Sequence, residues 1–380
     1  MAKLSPIYAD YNSTTPLCDS VVEAFLNWQR ITGNMSSAHY FGQQVHGIYD
    51  DACDVIKELL GARSFDLFSC GSATEANYWW LYSLLNDVKG VPRIISTVIE
   101  HPCVMEPLLY YAEQGRIDLQ LCPVGPDGVI DMDVFKSLLN ESTLMVSVMY
   151  ANNEIGTIQP MADVVQAAKS VGALVHSDMV QAAGKLRLDL DNLGVDAVSL
   201  SAHKCYAPTG CGGLMVRDKS WLRPLFLGGS QQQKLRAGTV NVMGMDLFSK
   251  GLTYCYDQLS HHLDIHAWGR ELCQRFKFVS PIIQIKPGQV LWNTLPLAIS
   301  NYISHDAMMR LDMLGVAVAT GSACSTGAVD ISPVISALNL SNELSERVVR
   351  LSFGYPTTSD DLIKISDLFV SLETNSVNFS

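Results

Sequence analysis

The sequence predicts an α/β fold in which a mostly parallel sheet has helices on both faces. Between residues 65 and 200, short apolar segments with strand character alternate with segments of helical periodicity. Strands that alternate with helices pair in parallel, because each helix returns the chain to the same edge of the sheet. The chain has 380 residues, and a single core stops growing at roughly 250 to 300 residues. We therefore expect one large domain and one smaller domain.

The predicted elements follow one another in a regular order. Helices are expected to end at Gly61, Gly115 and Gly172, and one begins at Pro160, because glycine favours helix ends and proline fits the first turn. Strands are predicted at 65–68, 93–98, 117–122, 144–149, 174–176 and 196–200. Helices are predicted near 21–26 and at 43–60, 73–87, 104–113, 132–139 and 160–171.

The pattern changes after the last of these strands. A segment rich in glycine and glutamine, 228–239, is typical of a flexible hairpin. A long helix is expected around 255–264, and the chain beyond it has the short strands and helices of an α+β domain. We therefore predict a large domain over 14–255 and a small domain built from 1–13 and 256–380.

Composition argues against several classes of protein. The net charge is −12, and Lys and Arg do not cluster, so we expect no direct binding of nucleic acid. The N-terminus lacks the apolar core of a signal peptide, and no segment approaches the ~18 apolar residues of a membrane span. The ten cysteines lack Cys-x-x-Cys and zinc-type spacing. We expect a cytoplasmic protein with reduced thiols, no metal site and no membrane partner.

Polar turns follow five of the predicted strands. The carboxyl ends of parallel strands meet at one edge of the sheet, where such sheets bind ligands. The turns supply a loop of the kind that binds anions, an imidazole, amides, a carboxylate and an amine. They are 70–74, 100–102, 151–156, 177–181 and 201–204.

The first of these turns connects a strand to a helix through the small residues of 71–77. The first amides of a helix are unpaired and lie at the positive end of its dipole, so this geometry suits a phosphate group. The turn has neither the Gly-Lys-Ser/Thr of a Walker loop nor Gly-x-Gly-x-x-Gly. The alternative is a simple N-cap formed by Ser72 or Thr74.

Lys204 follows the last apolar strand of this series, beside His203. A lysine amine attacks carbonyl groups well only when a desolvated site lowers its pKa. A solvated loop pair is the common alternative for a lysine next to a histidine. The convergence of the five turns favours the covalent role, in which Lys204 holds an aldehyde cofactor as a Schiff base.

Several motifs in a fixed order resemble the class V aminotransferase family of pyridoxal-phosphate enzymes, and within it the cysteine desulfurases of the NifS and IscS type. The resemblance covers nearly the whole chain and implies the type I fold of pyridoxal-phosphate-dependent transferases, with a seven-stranded type of sheet. Each motif is weak alone, and the specificity lies in their common order. The motifs are 8–16, 33–39, 71–77, 100–102, 152–156, Asp178-x-x-Gln181, 201–204, 236–239 and 321–325.

The resemblance implies that the cofactor is pyridoxal 5'-phosphate, held covalently by Lys204. It implies that Asp178 pairs with the pyridinium nitrogen and that Gln181 hydrogen-bonds the phenolate oxygen. His101 is expected to stack on the ring and to transfer protons. The other residues expected to bind the cofactor, mostly through its phosphate, are Ala73, Thr74, Asn153, Ser201, His203 and Thr239.

Thr239 is expected to reach the phosphate of the neighbouring subunit, so the resemblance implies a homodimer. Asn153 and Arg350 are expected to hold the carboxylate of the substrate, L-cysteine, because a guanidinium group matches a carboxylate in bidentate geometry. A salt bridge without a role in substrate binding is the alternative for Arg350.

Cys324 decides which reaction the resemblance implies. It lies among the small residues of 320–327, which leave a thiol accessible. In the desulfurases the matching cysteine attacks the sulfur of L-cysteine, becomes a persulfide and leaves L-alanine. The catalytic residues would then be Lys204, Cys324 and His101. The alternative is an unreactive loop cysteine.

Sulfur acceptor proteins are the implied partners, in iron-sulfur cluster assembly, tRNA thiolation or another thio-modification. Two other functions stay open: a different pyridoxal-phosphate reaction, such as that of a selenocysteine lyase or aminotransferase, and a non-catalytic paralogue that acts as a binding partner. Cys324 argues against transamination. The sequence departs from the usual family pattern at Met35, Ala207, Thr209 and 232–234, outside the residues expected to bind the cofactor.

Overall fold

The computed structural model describes residues 6–284, 286, 288–321 and 331–374. In these ranges the strands are β1 (Ile7–Tyr8), β2 (Asp66–Cys70), β3 (Arg93–Thr97), β4 (Asp118–Cys122), β5 (Thr143–Ser147), β6 (Leu174–Asp178), β7 (Ala197–Ser201), β8 (Gly212–Val216), β9 (Val279–Pro281), β10 (Thr294–Ile299), β11 (Val316–Ala317), β12 (Ala319–Thr320) and β13 (Val348–Ser352).

The α-helices of the same ranges are α1 (Asp19–Trp28), α2 (Tyr40–Leu59), α3 (Ala73–Asn86), α4 (Pro102–Glu113), α5 (Met132–Leu138), α6 (Met161–Ser170), α7 (Leu190–Leu193), α8 (Val242–Gln258), α9 (Ile265–Arg275), α10 (Ser304–Met313), α11 (Pro333–Ala337), α12 (Asn342–Ser345) and α13 (Ser359–Thr374). None of these described helices is both long and apolar enough to cross a bilayer.

The large sheet has seven strands in the order β2-β8-β7-β6-β5-β3-β4. The strands β3 to β7 pair in parallel, whereas β8 runs antiparallel to β2 and β7. The predicted α/β fold class with a mostly parallel sheet is confirmed. Because β2 and β3 to β7 point the same way, the turns that follow them lie along one edge.

Successive residues of the central strands face opposite sides of the sheet, as strand geometry requires. Ile94 of β3 and Leu214 of β8 pack in one apolar cluster with α3 and α4. Ile95 and Met215, the next residues along, pack in a second cluster with α2, α6 and α8. Helices therefore cover both faces of the sheet.

A second sheet has the antiparallel order β12-β13-β10-β9, and β1 pairs in parallel with β11. The apolar cluster around these strands combines Ala9 with residues from Ile265 to Leu372. The N-terminal segment thus packs with the C-terminal third of the chain. The domain division at 14–255 stays a prediction.

The prediction of a long helix around 255–264 is wrong. Helix α8 ends at Gln258, and α9 begins only at Ile265. The Asp264 carboxylate accepts a hydrogen bond from the amide of Ala267 at 2.9 Å and caps the new helix. Helical periodicity continues through the sequence, but the cap starts a separate element.

The prediction of a flexible hairpin at 228–239 is also wrong. Gln232, Gln233 and Lys234 adopt consecutive left-handed conformations, with φ of 46°, 62° and 68°. The side chain of Gln232 accepts from the amide of Ser69 at 2.6 Å and donates to its carbonyl oxygen at 3.0 Å. Left-handed φ values are unfavourable in free energy for residues other than glycine, and these two hydrogen bonds to β2 help to offset that cost.

Helix α8 packs directly against the turn that carries Lys204. A β-carbon at Gly251 of α8 would lie 2.2 Å from the backbone oxygen of Cys205 and 3.0 Å from the Cβ of Ala207. Both distances are shorter than van der Waals contact, so the helix approaches this closely only because residue 251 is glycine. The contact fixes where Lys204 leaves the sheet.

We predict that Gly251→Ala lowers the free energy of unfolding by about 1–3 kcal/mol, because the helix and the turn must separate. Gly47→Ala in α2 is the matched control, since nothing lies within 4 Å of its β-carbon position. There alanine is expected to stabilise the helix by about 0.5–1 kcal/mol. Urea unfolding followed by circular dichroism measures both, and equal effects would contradict the close packing at Gly251.

Candidate active site

A cavity of about 380 Å³ opens at the carboxyl edge of the large sheet, a size that suits a small-molecule ligand. All five polar turns contribute to it. The predicted site residues that line it are Ala73, Thr74, His101, Asn153, Asp178, Gln181, Ser201, His203, Lys204 and Arg350.

Two predicted site residues stand apart from this group. Thr239 is exposed and does not line the cavity of its own chain. Cys324 lies outside the described residues. The roles assigned to both stay predictions.

Lys204 lies in a short 3₁₀ turn directly after β7. Its Nζ donates to the backbone oxygens of Asn12 at 2.6 Å and Ser13 at 2.5 Å. Burial, followed by the positive charge of Arg350, lowers the pKa of Lys204 to about 8. Roughly a tenth of the amine is therefore neutral, and nucleophilic, at pH 7.

Asp178 is the last residue of β6, and both of its carboxylate oxygens are held by the protein. Oδ1 accepts from the amide of Val180 at 3.0 Å, and Oδ2 accepts from Nδ2 of Asn77 at 3.0 Å. The Sγ atom of Cys103 lies 3.7 Å from Oδ2. Three neighbours thus fix the direction in which this carboxylate faces the cavity.

His101 caps α4, and this role determines its tautomer. Its Nδ1 accepts from the amide of Cys103 at 3.1 Å, so the proton of the neutral ring is on Nε2. Burial is the main cause that lowers the pKa of His101. Burial, and then the charge of Asp178, raise the pKa of the Cys103 thiol, which therefore stays protonated beside the carboxylate.

The amino end of α3 forms another wall of the cavity. Ser72 caps the helix, and its Oγ accepts from the amide of Glu75 at 3.2 Å, so the predicted N-cap is present. The amides of Ala73 and Thr74 are in the first turn, where a helix offers no acceptor. The cap and a free anion-binding end therefore coexist. Gly212 lies close by, since a β-carbon there would come 3.1 Å from the Ala73 nitrogen.

His203 adds a neutral ring to this wall. Its Nδ1 forms a 3.2 Å hydrogen bond with the Thr14 hydroxyl. Burial, followed by the charge of Lys204, lowers the pKa of His203 to about 4. At neutral pH the ring carries one proton and can donate it in a hydrogen bond to an anion.

Arg350 extends into the cavity from β13 of the second sheet. Its guanidinium group donates to the carboxylate of Asp10 at 2.5 Å, to the hydroxyl of Ser13 at 3.0 Å and to the backbone oxygen of Asn153 at 2.8 Å. The salt bridge considered from the sequence is therefore present. It does not remove Arg350 from the cavity, which its side chain still lines.

Sequence reasoning missed four polar side chains that complete this region: Asn12, Asn77, Cys103 and Lys185. Asn12 and Asn77 lie inside the motifs at 8–16 and 71–77, and Cys103 follows the motif at 100–102. Their presence in these turns was the available signal. Lys185 follows Gln181 by four residues and had no signal that separated it from a surface lysine.

Glu100 joins two of the turns that form the cavity. Its carboxyl group accepts from the hydroxyl of Thr97 at 2.7 Å and from the amide of Met149 at 2.9 Å. The side chain is 6% exposed. Burial raises the pKa of Glu100 to about 8, although these hydrogen bonds favour the ionised form.

We predict that Glu100→Gln changes how stability depends on pH. The folded wild type keeps its proton up to a pKa of about 8, whereas an unfolded glutamate loses it near pH ~4.3. Wild-type stability therefore falls as pH rises through this interval, and the glutamine variant lacks that loss. Denaturant unfolding at about pH 5 and about pH 8 should show the variant gaining stability relative to wild type at the higher pH. A difference that stays constant with pH would contradict the protonated carboxyl group.

Known proteins are similar to this chain in sequence and in architecture. The sequence profile of the family described as Aminotransferase class-V matches residues 7–365. The protein named cysteine desulfurase IscS from Dictyoglomus turgidum is 34% identical over 362 residues, which are 94% of this chain and 91% of that protein.

Solved structures extend the similarity to the fold. A structure described as a NifS-like protein superposes with a TM-score of 0.86 at 29% identity, over 97% of this chain and 100% of that one. A structure described as SspA in complex with cysteine has a TM-score of 0.79 at 26% identity, over 91% of this chain and 98% of that one.

Proposed function

The chain belongs to the class V aminotransferase family, and from this membership we propose that it is a pyridoxal-phosphate-dependent cysteine desulfurase. It converts L-cysteine to L-alanine and leaves the sulfur as a persulfide on Cys324. The resemblance to enzymes of the NifS and IscS type is confirmed by relatives with those names. The observation that carries the proposal is the desolvated amine of Lys204, in one cavity with Asp178 and the first amides of α3.

The donor set of the cavity fits pyridoxal 5'-phosphate. The free amides of Ala73 and Thr74 suit its phosphate group, together with the Ser201 hydroxyl and the His203 ring. Asp178, oriented by its neighbours, suits the pyridinium nitrogen at the other end of the ring. The remaining contacts would be Gln181 with the phenolate oxygen, His101 with the ring face, Lys204 with the aldehyde carbon and Asn153 at the substrate side.

When bound, the cofactor supplies an electron sink that makes bonds at the α-carbon of the substrate labile. Lys204 Nζ, once released from the cofactor, takes and returns protons at the substrate carbon, a task that suits an amine whose pKa is lowered to about 8. Asp178, held by Asn77 and Val180, would face the ring nitrogen and so favour the protonated ring. His101, with its proton on Nε2, presents a hydrogen-bond donor beside the ring.

Arg350 and Asn153 hold the carboxylate of L-cysteine. The guanidinium group is positioned by Asp10 and by the backbone of Asn153. Nη2 uses both of its N–H groups for Asp10 and Ser13, and Nη1 uses one for Asn153, so among these contacts the second N–H of Nη1 remains for an incoming carboxylate. Binding one carboxylate at this place directs the rest of the substrate toward Lys204.

Cys324 is the proposed nucleophile. Its thiolate attacks the sulfur of the substrate, so a sulfur-sulfur bond forms as the carbon-sulfur bond breaks. The released electron pair stays with the substrate carbon, which takes up a proton to become the methyl group of L-alanine. Gly321, the described residue nearest in sequence before Cys324, lies beside Glu154, because a β-carbon there would come 2.6 Å from Glu154 Oε2. That position adjoins the Asn153 turn of the cavity.

A homodimer is part of the proposal. Thr239 is exposed on its own chain and would donate its hydroxyl group to the phosphate in the neighbouring subunit. Leu227 lies in the same part of the sequence and is 91% exposed, as an interface residue would be in an isolated subunit. The sulfur acceptor proteins, in iron-sulfur assembly or in thio-modification, and a cytoplasmic location complete the proposal.

We predict that the purified protein is yellow and that Lys204→Ala loses the covalent cofactor. After borohydride reduction, mass spectrometry should find a pyridoxyl group on Lys204 of the wild type and none on the variant. Lys250→Ala, on α8 and outside the cavity, is the control and should keep the adduct. An adduct on a different lysine of the wild type would overturn the assignment.

We predict that Cys324→Ala keeps the yellow colour and releases sulfide from L-cysteine at least about a hundredfold more slowly, because a nucleophile that forms a covalent intermediate has no substitute. Sulfide and L-alanine are measured with a thiol reductant present. Cys273→Ala is the matched control, since Cys273 lies in α9 and does not line the cavity. Undiminished sulfide release by Cys324→Ala would rule out the mechanism.

A further inference from the structure

A lysine without a role in the proposed chemistry lies behind the cavity. Lys185 is 7% exposed and is not among the residues that line the cavity. Its Nζ donates to Oδ1 of Asn12 at 2.9 Å and to Oε1 of Gln181. Both acceptors are amide oxygens and carry no full charge. Burial of an ammonium group against such partners is costly, which indicates a function for its donors.

The donors of Lys185 determine which way the amide of Gln181 points. An ammonium group has three N–H donors and no acceptor, so the amide atom that faces it must be the oxygen. The nitrogen of the same amide then points away from Lys185. Nε2 of Gln181 donates one hydrogen to the backbone oxygen of Asn12 at 3.0 Å. The second hydrogen is left for the cavity, which Gln181 lines.

Hydrogen bonds from Lys185 and Asn293 also fix the side chain of Asn12. Its Oδ1 accepts from Lys185 and also from Nδ2 of Asn293 at 3.0 Å. Its backbone oxygen accepts from Lys204 Nζ at 2.6 Å. Lys185 therefore contacts both the residue that faces the cavity and the residue that receives the reactive amine.

We propose that Lys185 is a positioning residue, whose buried amine fixes the side-chain amide of Gln181 so that a Gln181 N–H faces the anionic ring oxygen of the cofactor. This inference rests on the proposed function, because that oxygen belongs to pyridoxal phosphate. Lys185 itself touches neither cofactor nor substrate. Without it, the Gln181 amide can turn by half a rotation and present its oxygen, which repels the anion.

The protonation state of Lys185 agrees with this role. Burial, and then the charge of Lys204, lower the pKa of Lys185 to about 7. The neutral amine still has two N–H groups, one for each amide oxygen. Both amide oxygens can therefore still accept from the neutral amine, whereas only the ammonium form, which has no lone pair, excludes an amide nitrogen at that place.

A double-mutant cycle tests whether Lys185 acts through Gln181. Lys185→Met, Gln181→Ala and the double variant are prepared as full-length holoenzymes. The dissociation constant of pyridoxal phosphate and the wavelength of the visible absorption maximum are measured. Lys185→Met is expected to weaken cofactor binding about tenfold and to shift the band. In the Gln181→Ala background the same change should add little, because contacting residues are not additive.

Two further variants separate positioning from folding. Lys185→Gln keeps a donor for one of the two amide oxygens, so it should shift the band in the same direction by a smaller amount, even if Lys185→Met does not fold. Lys250→Met removes a lysine amine remote from the cavity and should shift nothing. Additive effects in the cycle overturn the proposal. So does a loss of thermal stability in Lys185→Gln without a band shift.

The result that would overturn this inference differs from the result that would overturn the proposed function. A wild-type protein that binds no pyridoxal phosphate and has no visible band would overturn the proposed function. A wild-type protein that binds it, with Lys185→Met and Lys185→Gln showing wild-type affinity and band position, would overturn the positioning role alone.

Discussion

A buried lysine amine and a half-buried one, both beside a single asparagine, are the constraint around which the cavity is built. Lys204 donates to the backbone oxygen of Asn12, and Lys185 donates to its side-chain oxygen. An ammonium group loses several kcal/mol of hydration on burial unless other groups replace its water. Here amide and carbonyl oxygens replace the water without neutralising the charge. The pKa values accordingly fall, to about 8 for Lys204 and about 7 for Lys185.

Three of the four oxygens that accept from these lysines come from Asn12 and Ser13, in the short N-terminal segment 10–15, and the fourth is Oε1 of Gln181. Within the segment, Ser13 accepts from Lys204 through its backbone oxygen and from Arg350 through its hydroxyl. One residue therefore sets the spacing between the reactive amine and the guanidinium group. The large sheet supplies the amine, the small sheet supplies the guanidinium group, and this segment determines how far apart they lie.

The separation along the sequence between two interacting residues decided whether the sequence could predict their contact. Strands, helices and polar turns are local patterns, and the rule for parallel sheets was enough to place Lys204, Asp178 and His101 at one edge. The pairing of Arg350 with Asp10 spans 340 residues, and that of Lys185 with Asn12 spans 173. No local pattern marks such partners.

The same reason explains the wrong prediction for 228–239. Its left-handed turn depends on the hydrogen bonds of Gln232 to Ser69, 163 residues away. Thr239 and Cys324 stay predictions for a different reason. Thr239 is expected to reach a second subunit, and Cys324 itself lies outside the described residues.

The N-terminal segment also determines when a newly made chain can complete its cavity. Asp10 leaves the ribosome first, but Arg350 follows 340 residues later. At roughly 5–20 residues per second, synthesis keeps the two apart for about 20–70 seconds. Strand β1 has two residues and pairs with β11, so it cannot form until that partner exists. A nascent chain therefore carries Lys204 well before Arg350 can complete the cavity around its amine.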